Sequence, residues 1–108
     1  MNIVTLIGNV TKEPDLRTTQ TGKEVISFSV AINRGKDQTD FVPCVAWEQL
    51  AQIVHQYVRK GDKIGVTGRV TSRKHEYEPH KTRWITEVVA EKIDLLGVKE
   101  KTEDEIFL

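Results

Sequence analysis

Cysteine, proline, aromatic side chains and net charge are all scarce in this chain, and each shortage excludes something. Cys44 is the one cysteine among 108 residues, so an internal disulfide is excluded and a reducing, cytosolic setting is expected. On a strand, that thiol is expected to act as a small buried hydrophobe. No apolar run approaches the roughly 20 residues that span a bilayer. The opening MNIVTLIGNV lacks a basic start and has polar residues within its apolar stretch, unlike a signal peptide. No membrane partner is therefore expected. The three histidines, His55, His75 and His80, do not fall with Cys44 at any zinc-ligand spacing. There is no glycine-rich phosphate loop and no Ser–His or Cys–His pair at a nucleophile's spacing. Neither a metal, nor a cofactor, nor an enzyme is expected.

What is present reads as one small β-rich domain, since 108 residues suffice for one modest core and not for two. Residues 2–10 form a strand with apolar side chains on both faces, Ile3 and Ile7 opposite Val4 and Leu6. That pattern predicts cover on each side, by a barrel interior and by another subunit or element. Gly8 inside it suggests a bulge or bend. The turn-rich stretch after it holds at most a short strand near Leu16–Thr18. Val25 to Asn33 alternates cleanly, with Ile26, Phe28, Val30 and Ile32 on one face. Phe41 to Trp47 is the next strand, and Pro43 belongs at a bulge or a free edge because it cannot donate a ladder hydrogen bond. Leu50, Ile53, Val54, Tyr57 and Val58 then form one helical stripe. Gly61 suits the left-handed position just past that helix. A long strand from Lys63 to Lys74, a polar hairpin loop from His75 to Thr82 and a last strand from Arg83 to Leu96 complete the chain. Gly65 and Gly68 would permit the coiling of a closed barrel. The expected fold is all-β, a five-stranded OB-type barrel with one α-helix between the third and fourth strands.

The few aromatics lie among cations. Phe41, Trp47, Tyr77 and Trp84 are interleaved with Arg34, Lys36, Arg69, Arg73, Lys74, Lys81 and Arg83. Exposed rings stack on bases at about 1–3 kcal/mol each, and cations neutralise phosphates. The competing interpretation places Trp47 and Trp84 in the core or at a subunit interface, with Trp47 the more suspect because it stands where strand meets helix. Phe28 is expected in the core. Zero net charge, from 16 basic and 16 acidic residues, weighs against nucleic acid but is unevenly spread. Residues 99–108, KEKTEDEIFL, sum to −2 and leave +2 on the remainder, and a groove needs only local positive potential.

Residues 1–97 resemble the bacterial single-stranded DNA-binding protein family, the tetrameric OB-fold type. The resemblance is carried by IVTLIGNVTKEPDLRTTQTGKEV, FSVAINR, FVPCVAWEQLAQIVHQYVRKGDKIGVTGRVTSRKH and TRWITEVVAEKIDLLG, in that order. It implies a non-catalytic subunit that assembles as a homotetramer, or as a dimer, and wraps single-stranded DNA without sequence preference. The family's stacking positions land on Phe41 and Trp47. Two further family tryptophans fall near Lys36 and on His75, where this chain has no indole; His75 and Tyr77 are the substitutes. The chain also lacks the family's long linker and its terminal Pro-Phe, ending instead Ile-Phe-Leu, and so short a chain raises the expectation of a phage- or plasmid-encoded member.

The resulting expectation is an OB-fold domain over 1–98 and a short acidic tail over 99–108. Stacking falls to Phe41, Trp47, Tyr77, Trp84 and His75, and phosphate contacts to Arg17, Arg34, Lys36, Arg69, Arg73, Lys74 and Arg83. Glu103, Asp104, Glu105, Ile106, Phe107 and Leu108 are the candidates for docking replication and repair proteins, or for lying in the chain's own groove as a phosphate mimic. The expected role is binding and protecting single-stranded DNA in replication, recombination and repair, in the cytoplasm. The rival is an OB-fold protein–protein adaptor of a replication-restart complex, in which the tryptophans serve interfaces and DNA binding is weak.

Overall fold

The computed structural model describes residues 1–97. The tail residues Glu103 to Leu108 lie outside the described residues, as does the domain boundary drawn at 98. Six strands and one helix follow in order: β1 (Val4–Val10), β2 (Asp15–Thr18), β3 (Glu24–Asn33), β4 (Thr39–Trp47), α1 (Glu48–Tyr57), β5 (Lys63–Glu78) and β6 (Lys81–Leu95). The sheet runs β1-β5-β6-β4-β3-β2, and β1 also pairs with β3, so the sheet closes on itself. This is the expected barrel with the expected helix. The strand count rises from five to six because Asp15–Thr18 pairs in full register with Glu24–Ser27.

The core follows from strand alternation. Val10, Ile26, Phe28, Val30, Cys44, Ala46, Ile64, Val66, Val88 and Ala90 point inward, and Ala51, Val54 and Val58 close the barrel from the helix side. Burying each larger aliphatic contributes about 1.5–3 kcal/mol. The helix stripe is rotated from the expected one. Ala51, Val54 and Val58 are fully buried, whereas Ile53 and Tyr57 are exposed. Small Ala51 lets the helix approach the sheet, and apolar periodicity alone does not reveal which edge of a wide stripe faces inward. Gly61 has its positive φ of 91° but does not cap the helix. Val58 holds the cap in extended conformation, and the turn beyond it is closed by Asp62, which accepts from the Arg59 amide at 2.9 Å.

Glycine is needed for space at two points. A Cβ on Gly8 would collide with the Ala31 carbonyl and the Val30 side chain. β1 continues through Gly8 in unbroken register with β5, so the expected bulge is instead a close approach of β1 to β3. Gly68 lies where the β5–β6 register shifts, and a Cβ there would strike the Val89 carbonyl. Gly65 has room for a side chain. Pro43 occupies a free edge, as its missing amide requires. Its neighbour Ser29 turns its carbonyl to Thr11, so the Ser29–Pro43 pair is not hydrogen-bonded and the proline nitrogen faces away from β3. Pairing of β4 with β6 begins only at Cys44.

The segment expected to be a loop, His75 to Thr82, is mostly strand. β5 runs to Glu78 and β6 starts at Lys81, joined through Pro79 and His80, with His80 at φ 66°. A two-stranded ribbon wet on both faces needs no apolar alternation, so its sequence resembles a loop. From Ser72 to Thr86 these strands pair only with each other among the described residues. They form an arm about 20 Å long, from about 3.3 Å per residue.

Candidate nucleic-acid interface

Strand register decides which candidate side chains share a face, because successive residues point to opposite sides. On β4, Val42, Cys44 and Ala46 point inward, so Phe41, Pro43, Val45 and Trp47 form the outer row. Across β3 the row continues through Ala31, Ser29, Ser27 and Val25, and across β2 through Asp15 and Arg17. Toward β6 it continues through Val89, and on β5 through Arg69. One sheet face thus carries Phe41, Trp47, Arg17 and Arg69. Arg73, His75 and Arg83 extend the same face along the arm, and Tyr77 joins it through Arg83.

Both rings on the barrel are free to meet a ligand. Phe41 is 66% exposed and Trp47 41%, so Trp47 is not a core residue. It stays on the β4 face because Glu48, with φ 55°, turns the chain directly from strand into helix. That left-handed conformation costs a non-glycine residue roughly 1–2 kcal/mol. Trp47 borders a recess lined by Thr19, Thr21, Lys23 and Glu48. Lys23 was missed in the sequence; the Thr21-Gly22 turn before it was the available signal, since a turn there folds β3 back beside β2.

The cations divide into two groups. Arg17 is paired with Asp15 at 2.8 Å, Arg34 with Asp40 at 3.0 Å, Arg69 with Glu91 at 3.0 Å and Arg73 with Glu87 at 3.0 Å. Exposed pairs of this kind are worth about 0–1 kcal/mol, so a phosphate can replace the carboxylate at small cost. Glu87 differs, with a side chain only 11% exposed, and it holds Arg73 against the sheet. Lys36, Lys74 and Arg83 have no carboxylate partner among the described residues. Lys36 lies in the tight loop after β3, where Asn33 Oδ1 accepts from the Gly35 amide at 3.1 Å and Arg34 N–H donates to the Gln38 carbonyl at 2.9 Å. Lys74 Nζ lies 5.9 Å from the Trp84 ring centroid, and the Arg83 guanidinium 5.4 Å from that of Tyr77.

Trp84, at 66% exposed, stands apart from the other rings. It pairs with Lys74 in a register that also pairs Val70 with Val88, and Val88 is a core residue. Trp84 and Lys74 therefore occupy the reverse face of the arm from Tyr77, His75 and Arg83. Sequence proximity had grouped all of them in one hairpin, but the pleat separates them.

Among the described residues, no three His, Cys, Asp or Glu side chains are grouped to hold a metal ion. Cys44 is fully enclosed, and burial first, then the nearby Glu87 charge, push its thiol pKa up to about 12. An uncharged thiol there is a poor nucleophile. No helix is long and apolar enough to cross a membrane among the described residues.

A closed OB-type barrel with an arginine-bearing sheet face, two exposed rings and a protruding arm defines the class. The model of the single-strand binding protein family matches residues 1–96, and the chain belongs to that family. It is 39% identical over 105 aligned residues to a single-stranded DNA-binding protein of Oceanobacillus iheyensis, covering 92% of this chain and 65% of the relative. It is 42% identical over 105 residues to single-stranded DNA-binding protein 2 of Listeria monocytogenes, covering 92% and 66%. Among solved structures, a deletion variant of the single-stranded DNA binding protein from Thermus aquaticus superposes with a TM-score of 0.74 at 32% identity. That match covers 89% of this chain and 41% of the other. The chain thus spans slightly less than two thirds of the length of the two curated relatives.

Proposed function

We propose that this protein binds single-stranded DNA without sequence preference and shields it during replication, recombination and repair, as a non-catalytic protein of the cytoplasm. The observation that carries this reading is the single face on which register gathers Phe41, Trp47, Arg17 and Arg69. Rings stack on any base, since every base has a π-face, and the arginines exchange a weak carboxylate partner for phosphate. His75, Tyr77, Arg73 and Arg83 extend the track along the arm, and Arg34 and Lys36 flank Phe41 from the loop after β3.

Self-association, as a homotetramer or dimer, belongs to the same proposal. Ile3, just before β1, and Ile7, on its outer face, are 67% and 55% exposed, and among the described residues Val4 to Gly8 pair on one edge only, with β5. An apolar face beside an open strand edge favours burial against another copy. The acidic segment over 99–108 is proposed to dock replication and repair proteins through Glu103 to Leu108.

Titration with oligo-dT at low salt, followed by tryptophan fluorescence, tests the central claim. Quenching is expected, with affinity falling as salt rises because cations released from the strand return. Absence of both binding and quenching refutes it. Light scattering on the same samples reports the assembly.

A further inference from the structure

The arm has two faces, and both are equipped alike. Ser72 to Glu78 and Lys81 to Thr86 pair only with one another among the described residues. Tyr77 on one face is 51% exposed and Trp84 on the other 66%, so the barrel covers neither ring. On the face continuous with Phe41 and Trp47, Arg83 lies against Tyr77, beside His75 and Arg73. On the reverse face, Lys74 lies against Trp84, flanked by the Ser72–Thr86 and Glu76–Thr82 pairs. Glu76 is the one acid on that face of the arm, and its carboxylate accepts from the His80 amide at 3.4 Å.

We propose that the arm carries a second nucleotide-binding face, formed by Trp84 and Lys74, which holds a different segment of the single strand from the one on Phe41, Trp47 and Tyr77. This rests on the reading of the protein as a single-stranded DNA binder and adds the path of the strand. A ring beside a cation matches one nucleotide, with the base on the π-face and the phosphate on the charge. Lys74 and Arg83 are also the arm cations without a carboxylate partner among the described residues, so within the described fold neither gives up an ion pair to meet phosphate. Trp84 is 66% exposed and contributes little packing that would explain an indole there. The ribbon's thickness stands between the two ring–cation pairs, so a short extended segment touches one or the other. Contact with both requires the strand to turn around the arm.

Anisotropy titrations of the full chain with labelled oligo-dT of about 8 and about 35 nucleotides test this, bracketing an OB footprint of about 4–16 nucleotides. Tyr77→Ala should weaken binding of both lengths. Trp84→Ala should leave the short oligonucleotide unaffected and weaken the long one about 5- to 150-fold, the stacking of one base. Trp84→Phe should restore most of that loss. Lys74→Gln should reduce the log–log salt slope by about 0.7 for the long strand only, the value for one phosphate of single-stranded DNA. Equal loss from Trp84→Ala at both lengths overturns the proposal in favour of one continuous track. No loss at either length also overturns it. In that case a changed mass by light scattering assigns the face to contact with a second copy, and an unchanged mass assigns it to bare surface. If the wild-type chain binds neither oligonucleotide at low salt, the parent reading itself fails.

Discussion

Replacing Phe41 by alanine should separate binding from folding, because its ring lies outside the core. Phe41 is 66% exposed on the outer β4 face and stands across from Ala31, which offers it little surface. Removing the ring should change folding stability by no more than about 0.5 kcal/mol, the usual range for a surface site. Phe28 provides the contrast. It is 3% exposed, points into the barrel, and should cost about 3–5 kcal/mol when cut to alanine. For binding, loss of one stacked base is worth about 1–3 kcal/mol, a rise in Kd of about 5- to 150-fold. Urea unfolding and oligo-dT anisotropy on the same preparations give both numbers. Trp47→Ala, at a 41% exposed ring, should show the binding loss with a somewhat larger stability cost. Unchanged affinity in Phe41→Ala, or a stability loss near that of Phe28→Ala, would refute the assignment of Phe41 to the ligand.

Three further outcomes follow from particular contacts. Glu87→Gln removes the charge that holds Arg73 at 3.0 Å, so affinity at low salt should rise and the salt slope steepen by about 0.7, one added phosphate contact; an unchanged slope means Arg73 faces no phosphate. Asp62→Ala leaves the Arg59 amide, now bonded at 2.9 Å, without its acceptor and should cost about 1–3 kcal/mol in thermal or urea unfolding. Asp62→Asn keeps an acceptor oxygen and should recover most of it, and equal losses in the two variants would contradict the hydrogen-bond account. Finally, the Cys44 thiol is raised from 9.0 to about 12 in the fold, so the native state holds its proton more tightly than the unfolded chain. Its contribution is intact below pH 9 and is lost as pH rises toward about 12, at up to about 1.4 kcal/mol per unit. Urea unfolding of wild type against Cys44→Ala from pH 8 upward isolates this contribution, and a stability difference that stays constant with pH contradicts it.

Much of the fold was legible in the sequence because it is written in local periods. The alternation of Ile26, Phe28, Val30 and Ile32 fixed β3 and its inward face. Pro43 marked an edge through its missing amide. The aromatic residues stood out because they are few and lie among cations. The arm was not legible. A solvated ribbon leaves no apolar period, so His75 to Thr82 looked like a loop. The helix was placed correctly but turned, because Ala51 is too small to register as a core residue beside Ile53 and Tyr57.

The sequence by itself determined that this chain forms a strand-rich barrel with one helix, and that its rings and cations lie near each other along the chain. Tertiary structure alone decided which of them can act together. Arg17, Trp47 and Arg69 come from β2, β4 and β5, and only cross-strand register sets them on one face. The same register put Trp84 on the other side of the arm from Tyr77, seven residues away in the chain. It also gave Arg69 and Arg73, two of the seven expected phosphate contacts, an acid partner across the β5–β6 ladder. The physical reason is common to all of these. Alternation along a strand fixes which side chains share its face, but pairing, bulges and the turn that joins two strands determine which faces meet.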